Sequence, residues 1–316
     1  MRLREWLQHG EGILADSPHP ERARRDAETL LLHHIGKNKA WLMAHGEEQF
    51  AGCSAIGYAA LLERRRKGEP IQYIVGESEF WGMPFRVNPD VLIPRPETEH
   101  LVEKIVSLIP VFQERPKKFF DFKRLHPIYE HGVRRAREGD PNLAGCPPRI
   151  LDVGTGSGAI AIAVAHDWGS LADITAIDIS ESALAVARFN AERFGCTDDI
   201  RFLQGDLLAP VADEKFEIIA SNPPYVPDTD RALISVEVRE HEPHVALFGG
   251  NDGLEIYRRL IPAAHAALVP GGYLVFEFGF SQQPDIESLL ASSGFEQIEI
   301  IPDLQGIPRI ASARRP

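Results

Sequence analysis

Cysteine is scarce. The chain of 316 residues holds three, Cys53, Cys146 and Cys196, and no two stand as a CxxC pair. That excludes a disulfide framework and a zinc ribbon, and thiols this sparse fit a reducing compartment. No apolar run approaches the roughly 18 residues that a membrane helix needs. The opening MRLREWLQHGEG is charged and lacks the apolar core of a secretory leader. A cytoplasmic location with no membrane partner is therefore expected. There is no internal repeat. No His/Cys pair has the character of haem axial ligands, and His33, His34, His241 and His244 read as surface or packing residues. No metal site is expected.

What is present is an ordinary globular composition, 44% apolar and 25% charged. At a soft prior of about 150 residues per domain the length suggests two domains, large enough to bury a core without covalent staples. The net charge of −12 is unevenly spread: residues 1–75 carry +1, residues 111–149 carry +4, and the remainder carries −17. A surface that negative repels phosphate backbones. A nucleic acid is thus not the expected direct substrate. Nothing in the pattern demands more than a monomer.

Residues 1–70 read as a helical domain. Arg25–His34 and Tyr58–Lys67 place apolar residues at helical spacing, and the second closes on Gly68 as a C-cap. Residues 71–95 change period. IQYIVG, SEFWGMPFRV and VLI are short and β-rich, which predicts a hairpin linking two domains. Pro96 suits a first helical position, with a helix running to about Leu108, before Pro110. An α/β domain occupies 96–316, interrupted at about 111–149 by KKFFDFKR and VRRAR among Pro and Gly. Such a segment is either a solvated insertion or an aromatic-basic arm for nucleic acid or an acidic partner. From Arg149 onward strands alternate with helices, the pattern of βαβ units and a mostly parallel sheet.

The first βα turn of that domain is Asp152-Val153-Gly154-Thr155-Gly156-Ser157-Gly158. Glycines there let backbone approach a ligand closely, and the helix N-terminus offers free N–H groups. Asp178 ends the next strand, where an acid can accept hydrogen bonds from ribose hydroxyls. The dinucleotide fingerprint is GxGxxG. Here the spacing is GxGxG with an acid two residues before it, which resembles the S-adenosylmethionine loop of class I methyltransferases, and the Asp152 carboxylate suits a cationic cofactor. A dinucleotide loop and a ligand-free glycine turn are the alternatives. Asp206 and Leu207, after the third strand, either flank an adenine ring or form a plain turn.

Asn222-Pro223-Pro224-Tyr225 follows the apolar strand FEIIAS. Two prolines fix φ and remove two backbone donors. The corner that remains is acceptor-rich, with the Asn222 side-chain carbonyl and the Pro223 main-chain carbonyl. Two acceptors at a rigid corner suit an –NH₂ on a planar carbon, and Tyr225 offers a ring wall for the planar group. A Pro-Pro turn that merely ends a strand is the bland alternative.

LIPRPETE (92–99), ILDVGTGSGAIAIAVA (150–165), AIDIS (176–180), SNPPYV (221–226), VREHEP (238–243), GGNDGLEIYRRL (249–260), GGYLVFEFG (271–279) and DLQGIPRI (303–310), with GEPIQYIVGESEFWG (68–82), together resemble the PrmC/HemK family of release factor N5-glutamine methyltransferases. The resemblance covers residues 60–316 apart from the insertion. It implies a class I, Rossmann-like methyltransferase sheet with a small N-terminal helical domain and a linking β-hairpin. The implied cofactor is S-adenosylmethionine, and the implied acceptor is the side-chain amide of the glutamine in the Gly-Gly-Gln loop of bacterial class I release factors. It also implies that Gly154, Thr155, Gly156, Ser157 and Gly158 line the methionine end. Asp178 would take the ribose, Asp206 and Leu207 would flank the adenine, and Asn222, Pro223, Pro224 and Tyr225 would receive the glutamine. The sequence departs from the family in the 111–149 insertion and in Leu207, where an aromatic often packs on adenine. The competing reading is an amino-methyltransferase acting on adenine in DNA or RNA, which shares NPPY and would need a base-flipping pocket with a basic footprint.

Overall fold

The computed structural model describes residues 1–112 and 147–316. The expected 111–149 insertion lies almost wholly outside the described residues, so neither reading of it is tested. The first 75 residues are helical: α1 (Leu3–Leu14), α2 (Ala23–Ile35), α3 (Lys39–His45), α4 (Cys53–Arg66) and α5 (Ile71–Val75). They close on a core of their own, with Leu7, Leu30, Leu31, Tyr58 and Leu62 at its centre. The expected cap at Gly68 is there, with φ +93° just past α4.

Two local expectations give way. Ile71–Val75 is α5 and not a strand. Its β-branched run is overridden by tertiary context: Ile74 packs into the helical core while Tyr73 faces the other way, onto Val87, Val91 and Ile93. Gly76, in the left-handed conformation, ends the turn. The hairpin is β1 (Glu77–Phe80) and β2 (Met83–Arg86) alone, and residues 91–93 form no strand. Its two-residue turn, Trp81-Gly82, has positive φ at both positions, as a tight hairpin with matching twist requires. Trp81 is held in that unusual conformation by two donors: its backbone N–H donates to Glu99 Oε1 (2.8 Å) and its indole N–H to Asp167 Oδ2 (3.1 Å). Likewise α6 (Thr98–Phe112) begins two residues after Pro96 and runs through Pro110 to Phe112. Pro96 sits instead in the turn whose carbonyl accepts from the Glu99 N–H.

The remaining strands are β3 (Arg149–Val153), β4 (Asp173–Asp178), β5 (Ile200–Gln204), β6 (Phe216–Ser221), β7 (Leu268–Glu277), β8 (Glu296–Pro302) and β9 (Pro308–Arg314). They form one seven-stranded sheet in the order β5-β4-β3-β6-β7-β9-β8. The first five are parallel, and β9 and β8 close the edge antiparallel. Helices cover both faces, so the central strands are mostly apolar. Ile150, Ile174, Ala176 and Ile218 face α6, α7 (Ala159–Trp168) and α8 (Glu181–Phe194). Their sequence neighbours Leu151, Ile177 and Ile219 face the opposite side, where Tyr257, Leu260 and Ile286 belong to α10 (Glu255–Ala267) and α11 (Gln283–Ser292). The period of two in side-chain direction thus divides one sheet between two cores. The winding reverses between β3 and β6, which opens a crevice at their carboxyl ends.

A segment after β6 ties the helical region to this crevice. It includes the short helix α9 (Val236–His241). Arg65, 1% exposed, donates from Nε to Asp26 Oδ2 (2.7 Å) and from Nη1 to Glu237 Oε1 (3.0 Å). Nearby, Glu242 accepts from the Arg95 guanidinium (2.7 Å) and from the Ile93 N–H (3.2 Å). Among the described residues no helix is long and apolar enough to cross a membrane.

Candidate active site

The crevice holds a cavity of about 260 Å³ lined by the β3–α7 turn, the end of β4, the start of the proline corner and the linker over Asp90–Thr98. Of the residues singled out by sequence, Gly154, Thr155, Gly156, Ser157, Asp178, Asp206, Leu207, Asn222, Pro223 and Pro224 all line it. Asp152, Gly158 and Tyr225 do not; each sits behind the wall.

The glycine turn forms one end. Gly154 and Gly156 have φ of +74° and +55°, and a Cβ on either would meet nothing within 4 Å. Their missing side chains leave room for a ligand against the backbone. Gly158 has another reason for being glycine: its Cβ would lie 2.7 Å from Ile162 Cδ1 and 3.2 Å from Ala187 Cβ, where α7 crosses α8. Asp178 closes the turn from the next strand. Its Oδ2 accepts the Gly156 N–H (2.8 Å) and its Oδ1 the Ser180 N–H (2.9 Å). Burial raises its pKa, and those backbone donors partly offset the effect. Each oxygen keeps a lone pair for a further donor. The N–H groups of Ser157, Ala159 and Ile160 have no protein acceptor among the described residues.

Asp152 lies beneath the turn, 1% exposed. Its Oδ2 accepts from Thr155 Oγ1 (2.7 Å) and the Ala161 N–H (3.3 Å), while Oδ1 has no partner among the described residues. Burial pushes its pKa up to about 7, against the pull of those two donors. At the far end, Asp206 pairs with Arg259 of α10, and both are half-exposed. Leu207 adopts φ +50°, and Ile179 lies in the wall beside Asp178. Two aliphatic walls can hold a flat ring without an aromatic. Ile179 and Arg259 were not singled out from sequence; the only signal for Ile179 was its place directly after Asp178.

The proline corner forms the other end. Asn222 donates from Nδ2 to Thr98 Oγ1 (3.0 Å), and among the described residues nothing donates to its Oδ1. Among the described residues no N–H reaches the Pro223 carbonyl either. Tyr225 is directed elsewhere: its hydroxyl donates to Glu277 Oε1 (3.3 Å) and its carbonyl accepts from Gln282 Nε2 (3.0 Å). Burial raises the Tyr225 pKa. The corner is clamped from behind by the GGNDG loop. A Cβ on Gly249 would lie 2.5 Å from Pro224 O, and one on Gly253 would collide with Tyr225 O. Only glycine permits that approach.

The cavity thus has an open glycine turn with an acid at one end and an acceptor-rich corner at the other. The cradle's open glycines and spare Asp178 lone pairs fit a cofactor with ribose hydroxyls. Two ligands held end to end, one donating a group to a nitrogen of the other, is the arrangement of a class I methyltransferase that uses S-adenosylmethionine. Comparison with families and relatives of known sequence agrees. The PrmC N-terminal domain family matches residues 5–76 and a Methyltransferase domain family matches residues 148–277. The release factor glutamine methyltransferase of Koribacter versatilis is 35% identical over 98% of this chain and 96% of its own length. That of Bradyrhizobium diazoefficiens is 39% identical over 93% of this chain and 89% of its own length. Among solved structures, a ribosomal protein L11 methylase from Lactobacillus delbrueckii is 24% identical, with TM-score 0.44, covering 73% of this chain and 86% of that one. The chain belongs to the release factor glutamine methyltransferase family.

Proposed function

We propose that this enzyme methylates the side-chain amide nitrogen of the glutamine in the Gly-Gly-Gln loop of bacterial class I release factors. The observation that carries the reading is the pair of unclaimed acceptors, Asn222 Oδ1 and Pro223 O, on the wall of the cavity that also contains the glycine turn. When bound, S-adenosylmethionine supplies an electrophilic methyl on a sulfonium sulfur. Gly154, Thr155, Gly156, Ser157 and Asp178 would hold it at the cradle, with Leu207 and Ile179 as ring walls and Asp152 beneath the turn. Asn222 and Pro223 each accept one amide N–H of the substrate, which orients the nitrogen lone pair and stabilises positive charge developing there. Positioning does most of the rest, since an amide nitrogen is a weak nucleophile and effective molarities of well-oriented groups reach ~10⁵ M or more. No strong general base is required, because the proton is acidic once the nitrogen carries the methyl.

The helical region at 1–70, with the hairpin region at 71–95, serves as the platform for the release factor beside a catalytic domain at 96–316. Its buried ties through Arg65–Glu237 to the segment after the proline corner support that role. The enzyme works in the cytoplasm as a monomer. Methyl transfer from labelled cofactor, offered separately a purified release factor and a mixed tRNA and DNA pool, tests the proposal. Peptide mass spectrometry should find the methyl on the Gly-Gly-Gln glutamine. Label on nucleic acid alone would establish adenine amino-methylation instead.

A further inference from the structure

Asparagine can present its oxygen or its NH₂ to a ligand with almost the same shape. A site that depends on two acceptors works only if the Asn222 amide is held in one of these two orientations. Behind Asn222 the structure places a short chain of polar groups that does this. Thr98 opens α6 and is 4% exposed. Its Oγ1 lies 3.0 Å from Asn222 Nδ2 and 2.6 Å from Oε2 of Glu277, the last residue of β7. Glu277 is 1% exposed, and a second hydroxyl, that of Tyr225, is directed at its other oxygen.

A hydroxyl has one proton. Burial raises the Glu277 pKa and the two hydroxyl donors lower it. With one hydroxyl directed at each of its oxygens, Glu277 takes the Thr98 proton, and Thr98 presents lone pairs to Asn222. Only the amide NH₂ can answer lone pairs. The Asn222 oxygen is thereby turned to the cavity. We propose that Thr98 and Glu277 are positioning residues that fix the Asn222 amide with its oxygen toward the acceptor nitrogen, and so set the preference for a carboxamide over a carboxylate. This rests on the reading that Asn222 receives the substrate amide. The logic of discrimination is that of buried polar groups left unpaired: a carboxylate brings no hydrogen to two acceptors and is rejected. Glu277 does not line the cavity, and Thr98 reaches its wall beside Asn222; both act on the reaction through the Asn222 amide. Without the relay the amide is free to turn, and an inward NH₂ would welcome a glutamate side chain.

The test uses the full-length enzyme with a release factor carrying Gly-Gly-Gln and the same factor with that glutamine changed to glutamate. Wild type, Thr98→Val, Thr98→Ser and Glu277→Leu are compared. Thr98→Val keeps the side-chain shape and removes the hydroxyl. It should lower kcat on the glutamine factor by about 10²-fold, the scale of losing one preorganised polar contact. Its affinity for S-adenosylhomocysteine should stay near wild type. Binding of the glutamate factor relative to the glutamine factor should rise about tenfold or more, on the scale of one lost hydrogen-bond preference. Thr98→Ser should restore both turnover and preference. Glu277→Leu removes the acceptor, frees the Thr98 hydroxyl proton to turn toward Asn222, and should shift the preference in the same sense. It therefore carries the test should Thr98→Val fail to fold. A preference unchanged in both variants, even with reduced turnover, would overturn the relay and leave a merely structural role. Absence of methylation by wild type on the glutamine factor would overturn the functional reading itself, a result distinct from the other.

Discussion

Asp178→Asn isolates what one carboxylate does at the cradle. In the structure Oδ2 accepts the Gly156 N–H at 2.8 Å and Oδ1 accepts the Ser180 N–H at 2.9 Å. Both oxygens are committed as acceptors, so the residue ties the glycine turn to the start of α8. An asparagine has one acceptor head and one donor head. Whichever way it turns, its NH₂ confronts a backbone N–H. The variant loses one charge-assisted hydrogen bond, worth about 1.5–3 kcal/mol, and leaves a donor unsatisfied. The same donor head would also face a ribose hydroxyl with the wrong polarity on one side. Taking one such loss as the net effect on binding, affinity for S-adenosylhomocysteine should fall roughly 10- to 150-fold, at 1.4 kcal/mol per decade. Asp178→Ala removes both acceptors and should fall at or beyond the upper end of that range. Calorimetric titration reads the affinity, and thermal unfolding without ligand separates it from any loosening of the turn. An Asp178→Asn enzyme that binds within about threefold of wild type would refute the reasoning, because so small a change is below the worth of a single such bond.

Asn222→Ala should cut turnover by about 10²- to 10³-fold while leaving cofactor affinity nearly unchanged, as steady-state rates and calorimetry would establish. Two glycines of one turn should separate by function. Gly154→Ala places a methyl in open cavity space at positive φ, so cofactor affinity should suffer more than stability. Gly158→Ala meets Ile162 and Ala187 at positive φ and should cost roughly 2–4 kcal/mol of stability in denaturant titrations. Asp152 gives a pH signature. Its pKa rises on folding from 3.8 to about 7, so the native state holds a proton that the unfolded state has lost in that interval. The stability this contributes is complete below the unfolded value and is lost as pH rises through about 7. Stability from this residue should therefore fall between about pH 4 and 7, with a slope approaching 1.4 kcal/mol per unit, and Asp152→Asn should flatten that slope.

Much of this was legible along the chain because its causes are local. The alternation of strand and helix after Arg149, the positive-φ glycines between β3 and α7, and the acid ending β4 are each fixed by residues within a few positions of one another. The proline corner is local too, since two prolines remove donors whatever surrounds them. Local propensity failed where distant groups outweighed it. IQYIV favours a strand by composition, yet it is a helical turn because Ile74 and Tyr73 must reach two different cores. Tyr225 offers a ring by sequence, yet its hydroxyl is drawn back to a carboxylate 52 residues away.

The sequence by itself determined the class of sheet, the open glycine turn and the acceptor-rich corner, since these depend on backbone freedom and donor count at consecutive residues. Tertiary structure decided which atoms face the cavity. Thr98 and Glu277 are 179 residues apart, yet they meet behind Asn222 and turn its amide one way. Gly249 and Gly253 are glycine because Pro224 and Tyr225 backbone comes within contact of them. Arg65 becomes a buried tie only when α4 packs beside the segment holding Glu237. Hydrogen-bond direction and steric clearance are properties of neighbours in space, and the order of residues along the chain does not state them.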